Sequence, residues 1–372
     1  MSESTIEQAK REIDESLVLS AFCMRRIGLS FQEPKSGSAY FRQKLMLIVS
    51  VCGICYHVFS EIAFIGLTLA NSPRVEDVVP LFHTFGYGAL SIAKVFVLWY
   101  KKDVFRQLLN ELAGIWPMPP LEEEALIIKN KSLAALRITH RWYFFMNVSG
   151  VWFYNLTPIV VYLFGRIQGK DDKIGYVWSS WYPFDKHQPL AHVAVYLFEI
   201  FAGQTCVWIM VSTDLLFSAM ASHISILLRL LKRRLESVGS ADNEHYQEIL
   251  GNIKLHQRLI TYCGKISFTV LLEPLMAISN KLFLGSALIQ IGMLCWYADD
   301  IFHANADVSA AAYNSCWYRT DTRSRRALLF LIQRAQKPIA FTAMGFTNIT
   351  LVTYSAVSRL HCFTAWQGSY GI

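Results

Sequence analysis

The stretch 339–366 is long enough to cross a bilayer, yet it is not apolar throughout. Thr347, Thr350, Tyr354, Ser358 and His361 recur at steps of three and four, so a helix over this stretch sets them on one face. Lipid satisfies no hydrogen bonds. A polar stripe on a spanning helix must therefore face protein or water, which confines the chain to a polytopic bundle whose last span borders a polar path.

The rest of the chain agrees with a membrane setting. Of 372 residues, 53% are apolar and 17% charged. Against the roughly 20 residues a crossing needs, six further apolar runs stand out at 45–70, 78–100, 138–164, 191–216, 263–279 and 282–296. Residues 1–15 are highly charged and contain no apolar core of a cleaved leader. The eight cysteines are scattered; Cys52 and Cys55 lie within an apolar run and read as small lipid- or core-facing residues.

Basic residues set the expected orientation. They cluster before the first run (Arg25, Arg26, Arg42, Lys44), after the second (Lys101, Lys102, Arg106), after the fourth (Arg229, Lys232, Arg233, Arg234) and before the last (Arg319, Arg323, Arg325, Arg326). Seven crossings with the N-terminus cytoplasmic and the C-terminus extracellular put all four clusters on the cytoplasmic side. Counting 263–296 as one crossing would put the fourth outside. The net charge of +7 thus follows topology, and nucleic acid is not an expected partner.

The expected organisation is all-α. A cytoplasmic segment, 1–44, precedes four spans within 45–216, with an extracellular loop at 165–190. A helical extension covers 217–262, two short spans cover 263–298, a second helical pair covers 299–338, and the last span with its tail covers 339–372. Apolar residues at helical spacing, such as Leu227, Leu228, Leu231 and Leu235, carry the fourth helix beyond its span. These extensions either pack into a domain below the membrane or lie on anionic headgroups. Asp299-Asp300 reads as a solvated helix end or as charge near a pore.

No phosphate loop, nucleophile elbow or zinc motif occurs, so neither an enzyme nor a bound metal or cofactor is expected. The histidines His140, His192, His223, His256 and His303 read as structural. The outer halves of spans two to four are ring-rich and partly polar: Phe82, His83, Phe85 and Tyr87; Asn147, Gly150, Phe153 and Tyr154; Tyr196 and Ile200. Asn147, Gly150 and Tyr154 share one helix face. Such walls suit a pocket for a small, largely apolar ligand, and equally suit ordinary span packing with an interfacial aromatic belt.

Several stretches, in order, resemble the insect odorant receptor family. They are Trp181-Tyr182-Pro183-Phe184-Asp185, Asp214-Leu215-Leu216-Phe217 through His223-Ile224, Cys295-Trp296-Tyr297-Ala298-Asp299-Asp300, and Ala312-Tyr313-Asn314-Ser315-Cys316-Trp317-Tyr318. Lys337-Pro338 and Phe363-Thr364 complete the set. The resemblance implies a ligand-tuning subunit that joins a shared co-receptor in an odorant-gated, non-selective cation channel of the plasma membrane, in the dendrites of olfactory sensory neurons. It implies an odorant pocket among spans two, three, four and six, subunit contacts through the cytoplasmic helices, and a pore lined by the last helix. The pore residues on this reading are Tyr354, Ser358 and His361, with a narrow outer gate near Ala365 and Gly368.

Two departures stand out. Arg359-Leu360 replaces the family's usual Ser-Tyr pair, and the fifth and sixth spans are shorter than the family norm. A gustatory receptor is the nearest rival, but its Gln-Phe after Thr353-Tyr354 is missing. A metabotropic seven-helix receptor is opposed by the orientation. A transporter is opposed by the lack of an internal repeat.

Overall fold

A computed structural model describes residues 3–31, 36–71, 75–169, 174–237, 245–267, 281–337, 342–343, 347–348 and 350–356. Ten α-helices account for most of them: α1 (Glu3–Ser16), α2 (Val18–Arg26), α3 (Gly37–Asn71), α4 (Val75–Tyr100), α5 (Lys102–Ile115), α6 (Glu123–Ile167), α7 (Pro189–Ser237), α8 (His245–Ser267), α9 (Lys281–Asn314) and α10 (Thr322–Ala335). A single 3-10 turn, Trp317–Arg319, joins α9 to α10.

The long helices are built to face lipid. On α3 the polar His57, Ser60 and Glu61 are buried while Phe59 and Ile62 are exposed. On α6, His140, Tyr143 and Asn155 are buried while Trp142, Phe145, Phe153 and Phe164 are exposed. That arrangement reverses the pattern of a water-soluble bundle, and it is favourable only where the surroundings are apolar. Three helices among the described residues are long and apolar enough to cross a membrane: Gly37–Ala70, Glu123–Ile167 and Pro189–Glu236. Cys52 and Cys55 are both exposed on the first of these.

The shorter helices are amphipathic and pack by one stripe. Ala9, Ile13 and Ser16 of α1, Phe105, Leu108 and Leu112 of α5, and Leu328, Leu331 and Ala335 of α10 are buried at helical spacing. Asp321 caps α10, accepting from the backbone N–H groups of Arg323 and Ser324 at 3.0 and 3.3 Å. The Ser324 side chain first, and these backbone N–H groups after it, hold its carboxyl below the usual carboxylate range. Gly28 ends the α2 region at φ +77°; a Cβ there would lie 2.4 Å from the backbone of Gln43 and Leu47. Only glycine fits that approach.

The central element is α7, which packs against α2, α3, α4, α6, α8 and α9. Its sequence explains the role, because Ala202, Ser212, Ser218, Ala219, Ala221, Ser222 and Ser225 are all small and buried. Small side chains let helix backbones approach closely. Beyond the predicted span, α7 runs on to Ser237 as the sequence predicts and is tied to its neighbours by polar contacts. Asp300 pairs with Ser225 and Arg229, Lys232 meets Asp307 at 2.9 Å, and Arg233 pairs with Glu124. His256 meets Asn305 at 2.8 Å, and Asn305 donates to the Ala335 carbonyl at the end of α10. The extensions of α7, α8 and α9 thus pack together with α10 rather than splay apart.

Two expectations are corrected. Asp299-Asp300 is not a helix end: α9 continues without a break to Asn314, and Asp300 is used in side-chain pairing. The stretch 339–366 is not one helix from its start. Thr342–Ala343 and Thr347–Asn348 form an antiparallel pair, Thr342 opposite Asn348 and Ala343 opposite Thr347. β-Branched threonine favours extended backbone. Helix begins only at 351–356, with Thr350 as its cap: Thr350 Oγ1 accepts from the Thr353 N–H at 3.3 Å and its carbonyl from the Tyr354 N–H at 3.0 Å. Thr347 and Thr350 therefore do not belong to a helical stripe. The turn proposed at 239–243 and the end of the fifth span lie outside the described residues.

Candidate functional site

Between α3, α4, α6 and α7 lies a cavity of about 300 Å³, lined on the α6 side by Met146, Asn147, Gly150, Val151, Phe153, Tyr154 and Thr157. Thr84, Tyr87 and Gly88 come from α4, His57 from α3, and Gly203, Cys206 and Val207 from α7. The lining is chiefly apolar with a few hydrogen-bonding groups, the usual make-up of a small-molecule site. Gly150 and Phe153 are exposed and border its open side.

The loop 174–188 closes the other side with the indole of Trp178. That ring packs on Tyr154 with centroids 4.7 Å apart and edge-to-face on His57 at 5.7 Å. Gly203 makes room for it, since a Cβ there would lie 3.0 Å from the indole. The loop is fixed to α7 by Glu199, whose carboxylate accepts the backbone N–H groups of Val177 and Trp178 at 2.9 and 3.1 Å and the Tyr182 hydroxyl at 3.3 Å. Beside this acid, burial pushes the Tyr182 phenol up. Ser60 of α3 donates to the Trp181 carbonyl at 2.5 Å and accepts, through its own carbonyl, the Trp181 N–H at 3.2 Å. Buried polar groups on two helices, α3 and α7, thus hold the loop in register.

Of the predicted pocket residues, the structure brings Tyr87, Asn147, Gly150, Phe153 and Tyr154 together around the cavity. Three do not line it. Phe85 packs against the main core, and Tyr196 is buried with Val177 and Trp178, its hydroxyl donating to the Asn155 carbonyl at 2.6 Å. Ile200 packs against the same small cluster. Phe82 and His83 fall within helix α4, and their side chains are outside the described residues. Sequence reasoning missed His57, Gly88, Trp178 and Cys206. His57 and Glu61, one turn apart in an otherwise apolar run, were a readable signal; Trp178 had none, because a loop has no period.

Below the cavity sits a buried ion pair. Lys94 Nζ on α4 lies 2.9 Å from Asp214 Oδ1 on α7, and the Tyr143 hydroxyl on α6 donates to Asp214 Oδ2 at 2.6 Å. Lys94 is 6% and Asp214 2% exposed, so neither charge has water to fall back on.

The expected pore residue Tyr354 lies against α9. A Cβ at Gly292 would come within 3.1 Å of its ring, so the missing side chain forms its seat. Ser358, His361, Ala365 and Gly368 lie outside the described residues. Where they are described, the predicted structural histidines have partners: His140 meets Ser218 at 2.8 Å and His223 meets Ser16 at 3.0 Å. Burial pushes His223 down to about 3.

The sequence matches the family model of the 7tm odorant receptor over residues 74–272 and 266–361. The chain belongs to this family. Its curated relatives include odorant receptor 85c of Drosophila melanogaster, 25% identical over 86% of this chain and 89% of that protein. Odorant receptor 85b of the same organism is 27% identical over 74% of this chain and 77% of that one. Among solved structures, the insect olfactory receptor OR5 from Machilis hrabei superposes with a TM-score of 0.78, covering 97% of this chain and 99% of that chain at 14% identity. The same receptor in complex with eugenol gives 0.76 at 13% identity. At such identity the likeness concerns the fold, which is the all-helical seven-span bundle. Membership makes the chain a multi-pass membrane receptor for odorants, not an enzyme.

Proposed function

We propose that this chain is the ligand-tuning subunit of an odorant-gated, non-selective cation channel, assembled with a shared co-receptor in the plasma membrane of olfactory sensory neuron dendrites. The observation that carries the reading is the ring-walled cavity of about 300 Å³ closed by Trp178, which fits a small volatile molecule. Eugenol, bound by the olfactory receptor of like fold, is a molecule of that scale. The positive-inside bias supports a cytoplasmic N-terminus and an extracellular C-terminus. The pore lies along the last helix, with Tyr354, Ser358, His361, Ala365 and Gly368 on its wall, and the packed extensions of α7 to α10 meet the co-receptor.

Gating follows from which elements touch. A ligand in the cavity presses on α6 and α7; α7 packs on α9, and α9 carries the start of the last helix. For the ligand to open the pore it must bind the open state more tightly than the closed one. A preference of about 2–3 kcal/mol shifts the equilibrium roughly 30- to 150-fold. Recording from cells expressing the chain with and without the co-receptor, against a panel of small volatiles, tests the proposal. Odour-evoked cation current is expected only with the co-receptor and should persist in excised patches without nucleotide. Current that requires nucleotide would make the receptor metabotropic and overturn the channel reading.

A further inference from the structure

One carboxylate ties together three of the helices that build the cavity. Asp214 of α7 accepts from Lys94 Nζ of α4 on Oδ1 at 2.9 Å and from the Tyr143 hydroxyl of α6 on Oδ2 at 2.6 Å, so each oxygen serves a different neighbour. Asn147 connects this tie to the cavity: it lines the wall, and its Nδ2 donates to the Tyr143 carbonyl at 2.9 Å. On the other two helices the tie lies about two turns from the wall, Lys94 beyond Gly88 and Asp214 beyond Val207.

Stability does not call for such a group. Apolar side chains of like volume replace a buried ion pair at little or no cost, and α7 already packs closely through small residues such as Ser212, Ser218 and Ala219. Ionisable side chains inside a membrane bundle are functional by default. What the pair supplies is a fixed point. In apolar surroundings a separated pair is stranded without water, so the three helices stay together at this level. The same α7 also reaches the last helix, running unbroken from Pro189 to Ser237 with no proline after the first residue. About three turns beyond Asp214, Ser225 pairs with Asp300 of α9, as does Arg229 one turn further on. Asp299, next to Asp300, accepts the N–H of Leu351 at the start of the last helix.

We propose that Lys94, Asp214 and Tyr143 form the pivot on which α7 turns when odorant enters, so that spreading at the cavity becomes an opposite displacement where Ser225 and Arg229 meet Asp300. This role rests on the cavity being the odorant site and on the last helix lining the pore. At 1.5 Å per residue the arm from Val207 to Asp214 is about 10 Å and the arm from Asp214 to Ser225 about 16 Å, so a shift of ~1 Å at the cavity becomes ~1.6 Å at α9. Packed helix interfaces switch by shifts of about 1–2 Å. None of the three side chains lines the cavity. They are positioning residues: they decide how much of the ligand's push arrives at α9, not which ligand binds.

The test uses the full chain with its co-receptor and reads odour-evoked current per surface-labelled receptor across a panel of small volatiles. In the double variant Lys94→Met with Asp214→Leu, apolar side chains restore the packing but supply no fixed point. Saturating current per receptor should fall at least about fivefold, the low end of ordinary coupling between sites, while the rank order of volatiles stays that of the wild type. Tyr143→Phe removes only a hydroxyl and should give a smaller fall in the same direction. An unchanged saturating current per receptor in the double variant overturns the pivot. So does a reordered volatile preference, which would make the tie part of the binding site. If the double variant does not reach the surface, Tyr143→Phe decides by the same two readouts; its own absence from the surface would assign the tie to folding and overturn the pivot as well. Gly150→Leu separates the two levels. A volatile preference that it leaves untouched removes the cavity reading, whereas a preference that it reorders, beside an unchanged current in the double variant, removes the pivot alone.

Discussion

Asp299 Oδ1, midway along α9, accepts a hydrogen bond from the backbone N–H of Leu351 at 3.2 Å. The first turn of the last helix is therefore capped twice, once by Thr350 from within and once by a carboxylate from another helix. Gly292, two turns before Asp299, seats Tyr354, one turn after Leu351. As residue numbers rise on α9 they fall on the last helix, so the two run antiparallel.

On the proposed channel reading this contact holds the last helix in its unliganded arrangement, and Asp299→Ala removes a cap worth about 1 kcal/mol. Ligand-independent current should rise about fivefold at equal surface expression. Asp299→Asn keeps an acceptor and should stay near wild type. Identical basal currents in the wild type and Asp299→Ala would remove Asp299 from gating.

Breaking the Lys94–Asp214 pair from one side leaves a buried charge unmatched, at a cost of about 3–5 kcal/mol. Lys94→Met and Asp214→Leu should each sharply reduce the thermal stability of detergent-purified protein. The double variant should recover most of the loss. Additive losses in the double variant would show that the two side chains do not act as a pair.

Gly150 lines the cavity and has open space where a Cβ would point, so a larger side chain stands at the cavity's open side without striking the fold. Gly150→Leu should leave the melting temperature within a degree or so, since surface-like changes cost about 0.5 kcal/mol or less, and should reorder ligand preference. Ion selectivity should not change. An unaltered preference would dissociate this cavity from odorant binding.

His223 titrates only well below its ordinary 6.5, because burial disfavours its charged form. Between those values the unfolded chain takes up a proton that the folded chain cannot. The stability it contributes is whole above about pH 6.5 and falls as the pH drops, by up to about 1.4 kcal/mol per unit. Melting temperature should decline from pH 7 to pH 5, and His223→Gln should flatten that slope. Equal slopes for the two proteins would exclude His223 as the source.

The cavity was half legible before the structure. Asn147, Gly150 and Tyr154 were placed on one face because helix period is a property of consecutive residues, and the structure brings all three to the cavity. Tyr196 and Ile200 fall outside its lining, because the same period does not say which face a neighbouring helix covers. They are occupied by the returning loop, through Val177 and Trp178. Thr347 and Thr350 match a helical stripe by spacing alone, but Thr347 pairs as a strand with Ala343 and Thr350 caps the helix.

From the chain alone came the bilayer, the run of apolar helices, their continuation past the spans, and a family resemblance that the comparisons bear out. Hydropathy and helical period are written in short windows and survive any tertiary arrangement. The meeting of Lys94 with Asp214, of Trp178 with His57, and of Asp299 with Leu351 was decided only by the packed bundle. Each depends on the rotation of one helix against another, and that rotation is set by many weak contacts spread over the whole chain.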